Sequence, residues 1–553
     1  MTKKTLLLLF VIVFLGFVLR FVDLTSFPPS LNWDEISIGY NAYSTLKTGH
    51  DEWGQFMPFF FKSYGEYKLP GQIYASVPAI YIFGLNDFAV RITPVVYGTL
   101  TVLLLFFLAR RMFKNDGIGL LAALLLAISP WHIQLTRASF ESSFSVFWVV
   151  MGVWFFVKAV DSEKLKLKWL FLSMIPLALS AYTYNSARIF TPLFLAVAFI
   201  YYRKLLLKRW QSVVWVVVFM AVLMVPLAQF TLSGQGSARY KLVSVTDDAG
   251  LIPRINEHRG NSTLPQPLPT LIHNKFTYVS YYVVTNYLAH FTPDFLFISG
   301  APHKQHNIQN IGELYLFQAP FILIGLIFLF RKKKPFRWLL VYWILLVFIP
   351  VSFTNDSIPH ALRTLIANPA YQIITAVGIY ASFVYLNKKN KLTLTIFVCI
   401  LALVVMISVG YYLSLYQNYR VMYSRDWQYG NKEVVEYIKA HQDEYDLITY
   451  SRTYGEPHMF TLFYLNYDPK MFYTSPNLNR FETRDWVRVL NFDKYYFPDL
   501  GDAGTRYEDV VAQNSGKKIL FIGKPGDFPV SAKKIETVDF LNGQPAFEIV
   551  TNR

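Results

Sequence analysis

Eleven stretches of this chain are apolar over about the thickness of a bilayer, and nothing else in it restricts the fold so strongly. A helix crosses the hydrocarbon core with about 20 apolar residues. Runs of that kind cover Leu6–Val22, Val90–Arg110, Ile118–Leu135, Phe144–Val160, Trp169–Ala181, Ile189–Tyr202, Val213–Phe230, Leu316–Phe330, Trp338–Phe353, Leu365–Leu386 and Leu392–Tyr416. The fifth and sixth are short. A further stretch, Ile73–Phe83, carries Pro78, is too short to span, and reads as re-entrant or interfacial. The composition excludes a soluble enzyme and a disordered chain: 54% of the 553 residues are hydrophobic and only 16% charged, against about half and a quarter in soluble proteins. Lys3 and Lys4 precede the first run and no A-x-A-like cleavage site follows it, so it reads as an uncleaved signal-anchor. The one cysteine, Cys399, rules out a disulfide framework and a cysteine-based zinc site; within an apolar run it reads as a small buried hydrophobe.

Lysine and arginine give the orientation. Basic clusters precede the first run and follow the second, fourth, sixth, eighth and tenth: Lys3 and Lys4; Arg110, Arg111 and Lys114; Lys164, Lys166 and Lys168; Arg203, Lys204, Lys208 and Arg209; Arg331–Lys334 and Arg337; Lys388, Lys389 and Lys391. With eleven spans all of them fall on one face. The expectation is a multi-pass plasma-membrane protein with a cytoplasmic N-terminus. The formal net charge of +16 then records topology, and no nucleic-acid partner is expected. The opposite face holds two long loops, 23–89 and 231–315, and three short links, 136–143, 182–188 and 354–363. It also holds a tail, 417–553, set apart from a transmembrane domain at 1–416.

The tail is richer in acidic residues and has no spanning run. Glu433–His441 has helical spacing; Asp446–Ser451 and Lys518–Gly523 read as strands; Ile535–Phe540 and Pro545–Val550 flank Asn542-Gly543, a hairpin signal. The expected fold is an all-α polytopic membrane domain followed by an extracytoplasmic α/β domain.

Long outer loops and short basic links place the work on the outer face. No G-x-x-x-x-G-K-[ST] occurs, so either the donor of energy arrives already activated or the protein is not an enzyme. Beyond the first run, Asn32-Trp33-Asp34-Glu35 sets two adjacent carboxylates at the membrane boundary. By residue type they are either a base with a raised pKa or charges at the start of a helix over Glu35–Leu46. Lys68, in Tyr64-Gly65-Glu66-Tyr67-Lys68-Leu69-Pro70, either pairs with a lipid phosphate or snorkels. Arg137 and Glu141, in the next outer link, are either site residues or an ion pair or cap.

The order of these elements carries a resemblance. After the acidic pair and the Tyr-x-Lys-x-Pro element come Gly84-Leu85-Asn86-Asp87-Phe88-Ala89-Val90-Arg91, a span ending Leu108-Ala109-Arg110-Arg111-Met112-Phe113, and Gly119-Leu120-Leu121-Ala122-Ala123 running to Ser129-Pro130. The chain resembles the GT-C superfamily of membrane glycosyltransferases, above all the bacterial branch of family 39, the protein O-mannosyltransferases and aminoarabinose transferases. The similarity is strongest over the first 200 or so residues. It implies a polyprenyl-phosphate monosaccharide donor and transfer on the outer face to a hydroxyl of a protein, lipid or glycan. Asp34 would be the base, Glu35 its partner, Lys68 the group near the donor phosphate, and Glu141 a second outer-face acid. Where relatives often read Lys-Pro-Pro, this chain has Lys68-Leu69-Pro70.

A sugar on a phosphate is already activated, and one in-line displacement predicts inversion at the anomeric carbon. Cations at the surface, Lys68, Arg137, Arg188, His360 and Arg363, are expected to stabilise the leaving phosphate. Trp33, Tyr67, Tyr182 and Tyr184 are expected to line the substrate. His258, His290, His303 and His306 read as solvated loop histidines rather than metal ligands, and no cofactor is assigned. The alternatives are a lipid-linked glycan transferase or ligase of the same fold, and a lipid or sugar flippase. A flippase should show repeated halves and charges inside its spans.

Overall fold

A computed structural model describes residues 1–483, 486–501 and 504–553, with backbone alone at 237–239 and 241. The chain forms two compact units. The first comprises Met1–Val22, Val95–Thr136 and Glu141–Leu413; the second comprises Asp23–Pro94, Arg137–Phe140 and Ser414–Arg553. The sequence divides at 416/417. In the structure the second unit starts its last segment at Ser414 and also takes in the whole first long loop, 23–89.

Every one of the eleven apolar runs lies in a helix. Among the described residues six helices are long and apolar enough to cross a membrane: Lys3–Phe21, Asp87–Phe113, Glu141–Val160, Arg203–Leu232, Ala361–Lys389 and Lys391–Met422. The third run is a pair, Asp116–Ala127 and Pro130–Arg137, bent by 55°. Four runs form shorter apolar helices, Leu167–Ala181, Asn185–Tyr201, Gln318–Arg331 and Arg337–Ser352. The chain is a multi-pass membrane protein.

The bend has a local cause. Pro130 has no N–H to continue the first helix and suits the first position of the second. The carbonyls freed at the break need donors, and Arg20 supplies them: its guanidinium donates to Leu126 O (3.2 Å) and Ala127 O (3.0 Å), and to His132 Nδ1 (2.8 Å). Helices Gln318–Arg331 and Asn368–Lys389 touch backbone to backbone. A Cβ on Gly378 would lie 1.9 Å from Phe321 O, and one on Gly325 2.2 Å from Ile374 O; only glycine permits that approach. Helix Lys391–Met422 buries none of its most apolar window within the protein. Cys399, expected to be buried, is exposed on it; a helix apolar all round gives no sign in its sequence of which side meets protein.

The second unit is built on a seven-stranded sheet in the order Asn479–Glu482, Val487–Phe492, Tyr495–Tyr496, Leu447–Tyr450, Ile519–Gly523, Pro545–Thr551, Lys533–Asp539. Leu447–Tyr450 pairs in parallel with both its neighbours, and the other pairings are antiparallel. The tail is thus α/β as its alternation of elements indicates, and the hairpin flanking Asn542-Gly543 is present. Its core, with Ile448, Phe460, Phe492, Leu520 and Ile549, is continuous with Leu31, Ile36 and Tyr40 from the first long loop. Three elements of that loop matter for the site: helix Trp33–Thr48, the two-stranded hairpin Phe61–Ser63/Glu66–Lys68, and helix Pro70–Phe83, which is what the short Pro78-containing stretch forms.

Candidate functional site

Helix Trp33–Thr48 begins two residues earlier than its sequence suggests. Asn32, not Asp34, is the cap: its side chain accepts from Glu35 N (3.0 Å), and Glu35 Oε2 accepts from Asn32 N (3.2 Å), a closed capping box. This fixes which way the adjacent carboxylates point. Successive helical residues are about 100° apart around the axis, so Glu35 turns inward and Asp34 outward.

Glu35 is fully buried. Arg91, also fully buried, donates Nε to Oε1 (3.0 Å) and an NH2 group to Oε2 (3.0 Å), and Ser139 N donates to Oε1 (2.9 Å). The remaining Arg91 donors bind Leu24 O (3.2 Å), Pro28 O (2.7 Å) and Ser30 O. Glu35 therefore has both oxygens committed to the frame of the loop.

Asp34 has a different setting. Lys68 Nζ donates to its Oδ1 at 2.5 Å. The lysine side chain is 3% exposed and the aspartate 35%, so the ammonium is held inside while the carboxylate is reachable. The hairpin delivers the lysine: Phe61 pairs with Lys68 and Ser63 with Glu66 across a turn at Tyr64-Gly65, with Tyr64 at φ 44°. Lys68 Nζ lies 5.9 Å from the Tyr64 ring centre. Tyr67 sits half-buried in the same strand, opposite Lys62.

Three rings stand beside this pair. Trp33 and Tyr64 are 6.2 Å apart, Trp33 and Trp486 5.9 Å, and Tyr64 stacks on Trp486 at 5.7 Å with 7° between planes. The tail fixes them. Gln428 Oε1 accepts from Trp33 N (2.8 Å), Trp486 Nε1 donates to the buried Glu456 Oε1 (2.5 Å), and Val487 N donates to Tyr64 O (2.5 Å). Gly455, at φ 126°, passes so close that a Cβ there would sit 2.7 Å from the Trp33 ring. Sequence reading missed Trp486 and Glu456, which carry no local signal. It also missed Glu52, whose Asp51-Glu52 repeats the adjacent-acid pattern of the same loop. Glu52 accepts from Asn41 Nδ2 (3.1 Å), and burial pushes its carboxyl up to about 7 against the opposing pull of Asn41, Arg480 and Lys68.

Arg137 is buried in the second unit, donating to Phe27 O (2.9 Å) and Asp23 O (3.2 Å) and stacking on Tyr416 at 5.5 Å. The other expected residues belong to the first unit. Glu141 opens helix Glu141–Val160 and is half-buried. Tyr182 donates to Leu223 O (2.7 Å). Tyr184, Arg188 and Arg363 line one cavity of about 980 Å³, whose other walls are mostly apolar, with Leu195, Met220 and Leu227 among them beside Asn185, Ser186 and Thr231. Arg363 binds Thr354 Oγ1 (2.8 Å) and Asp356 Oδ2 (2.8 Å).

Of the four histidines expected in solvent, His258 is exposed, His303 is half-buried, and His290 and His306 are buried. His290 is fully buried between Asn286 O, at 2.7 Å from Nδ1, and the His360 N–H, which donates to Nε2 at 3.0 Å. Burial brings its pKa down to about 4, so it stays neutral with both nitrogens in use. His303 stacks on His306 at 3.8 Å, and His306 on His360 at 4.9 Å. Among the described residues no group of three histidine, cysteine or acidic side chains is placed to hold a metal ion. The loop rests on Glu313, whose Oε1 accepts from Ala301 N (3.0 Å) and Asn307 Nδ2 (3.0 Å).

Residues 74–228 match the family described as dolichyl-phosphate-mannose-protein mannosyltransferase. Two solved structures share the fold. ArnT of Cupriavidus metallidurans in its apo state aligns over 100% of this chain and 98% of its own, with a TM-score of 0.54 and 12% identity. The archaeal oligosaccharyltransferase AglB of Archaeoglobus fulgidus aligns over 84% of this chain at 14% identity and a TM-score of 0.52, and the chain spans 64% of AglB's length. No curated protein sequence matches. The matched family and both structures belong to the GT-C superfamily, and this chain has the GT-C membrane glycosyltransferase fold, with a C-terminal sheet region.

Two outcomes test this geometry. Glu35→Ala strands Arg91 as a buried, unpaired cation and should cost about 3–5 kcal/mol of stability, read as an earlier thermal unfolding transition. The pair replacement Glu35→Leu/Arg91→Leu should recover much of that loss. Burial pushes the Glu313 carboxyl up to about 8, so its proton stays on in the fold and comes off in the unfolded chain between about pH 4.5 and 8, and stability falls as pH rises through that window. Glu313→Gln should melt like the wild type at pH 5 and several degrees higher at pH 9.

Proposed function

We propose that the protein transfers a monosaccharide from a polyprenyl-phosphate carrier to an acceptor hydroxyl on the outer face of the membrane. The observation that carries this reading is the Asp34–Lys68 contact, a reachable carboxylate on a buried ammonium. Asp34 acts as the base. It takes the proton of the acceptor hydroxyl as that oxygen bonds to the anomeric carbon, and the bond from that carbon to the phosphate oxygen breaks. The electron pair leaves with the carrier phosphate, and the configuration inverts. Lys68 serves the phosphoryl group: as donor arrives, the ammonium exchanges Asp34 for a phosphate oxygen, which both neutralises the leaving charge and releases Asp34 to accept a proton.

Within the first unit the largely apolar cavity suits a lipid chain, and Arg188 and Arg363 at its wall suit an anionic group. ArnT of Cupriavidus metallidurans has been solved bound to undecaprenyl phosphate; its structure aligns with this chain at a TM-score of 0.53 and 14% identity. Glu35 and Arg137 keep a structural role in this reading, because their polar atoms hold the loop backbone.

Asp34→Asn should abolish transfer, by a factor on the order of 10² or more. Mass spectrometry of envelope material from cells with the wild type, the variant and no protein reads this out: a hexose or pentose increment present only with the wild type is expected, and an unchanged increment with Asp34→Asn refutes the base. Lys68→Ala should weaken binding of undecaprenyl phosphate to the protein in nanodiscs about tenfold or more; equal affinity rules out its phosphate role.

A further inference from the structure

The links after the second, fourth, sixth and eighth apolar runs do not merely share a charge. They converge on one cavity of about 980 Å³ in the first unit. Its wall carries Arg111, Lys114, Lys204, Lys208 and Lys334, against two carboxylates, Asp161 and Glu163. Asp161 is already engaged by both Arg111 and Lys166. The cavity therefore has a surplus of positive charge that its own residues do not neutralise. Arg111 Nε is buried there with no hydrogen-bond partner among the described residues, a donor that an anion entering the cavity would satisfy.

The cavity does not end at its polar wall. Tyr201, Tyr202, Lys204 and Leu205 also line a second cleft of about 430 Å³, whose remaining wall includes Val197, Ile200 and Tyr342. Arg203 lies in the wall of the cleft too, beside the exposed apolar side chain of Ile200, 62% exposed, and the exposed ring of Tyr201, an aromatic of the kind found where a protein meets the head-group layer. A chamber rich in cations joined to a cleft that offers exposed apolar side chains has the two-part chemistry of a phospholipid.

We propose that this pair of cavities binds an anionic phospholipid, its phosphate in the basic chamber and an acyl chain in the cleft. The positive surplus selects an anionic head group over a zwitterionic one, and the apolar side chains of the cleft select a membrane lipid over a soluble phosphate. The lysine- and arginine-rich links then do more than orient the chain: they lock four helix ends to one lipid of the leaflet they face. This site is separate from the Asp34–Lys68 pair and stands or falls independently of the proposed transfer.

The test uses the full chain, purified in detergent and stripped of lipid. Palmitoyl-oleoyl phosphatidylglycerol, phosphatidylcholine with the same chains, and glycerol 1-phosphate are titrated in turn, with bound lipid counted by native mass spectrometry and melting temperature recorded. Phosphatidylglycerol should be retained and should raise the melting temperature, with an affinity about tenfold or more above that of phosphatidylcholine, and glycerol 1-phosphate should do neither. The variant Lys204→Gln/Lys208→Gln/Lys334→Gln should lose that preference. Equal retention of both lipids by the wild type, or an undiminished preference in the variant, overturns the proposal. Glycerol 1-phosphate acting as strongly as phosphatidylglycerol reassigns the chamber to a soluble anion and likewise overturns it. The wild-type comparison decides the matter even if the triple variant fails to fold.

Discussion

The second unit is organised around one buried ion pair, Glu35 with Arg91. Neither side chain has any contact with solvent, and between them they use the Leu24, Pro28 and Ser30 carbonyls and the Asn32 and Ser139 N–H groups. A pair of this kind adds little net stability against a hydrophobic replacement, because desolvating two charges costs about what their attraction returns. Its contribution is geometric. Five backbone groups from residues 24–32 and 139 find their partners in one place, so the path of the chain beyond the first apolar helix admits few alternatives.

That path determines what Asp34 does. Adjacent acids look like a catalytic pair in a sequence, yet on a helix they face different ways, and here the division is complete. Glu35 points into the frame and Asp34 points out to Lys68. Lys68 is itself enclosed, with the Tyr64 ring beside it and Glu52 among the charges that act on it. A buried ammonium of this sort cannot dispense with an anion at close range. In the resting protein the anion is Asp34; a phosphoryl oxygen can take its place only by releasing the carboxylate. In the proposed function, binding of the activated group and readiness of the base are thereby coupled through one cation.

Much of this was legible beforehand, and the reason differs by element. The apolar runs all became helices because hydropathy over some 20 residues is a direct physical requirement of the bilayer. The tail's strands at Leu447–Tyr450 and Ile519–Gly523 and the hairpin flanking Asn542-Gly543 were readable from β-branched and aromatic runs bounded by turn residues. Asp34 and Lys68 were found as separate signals, and the structure joins them. What could not be read was long-range: that Arg91 answers Glu35 across 56 positions, or that Trp486 stacks on Tyr64 across more than 400. No local spacing encodes such contacts. The burial of His290 and His306 went unread for a related reason. Polar residues in a long loop look solvated until the loop's own packing, here against Glu313 and Phe348, is known.

The tail's relation to the site follows from the same long-range contacts. Gln428, Gly455, Glu456 and Trp486 all bear on Trp33 or Tyr64, the neighbours of Asp34 and of Lys68. Trp33 N is an N-terminal helix donor, which needs an acceptor from outside the helix, and the tail provides it. Removing the tail would therefore leave an unsatisfied helix end one residue from Asp34 and an unsupported turn four residues from Lys68. The α/β sheet is accordingly not an appendage beside an autonomous catalytic loop. The loop's helix and hairpin complete their hydrogen bonding and their hydrophobic core only with it, and the geometry of the Asp34–Lys68 pair depends on residues some 400 positions away in the chain.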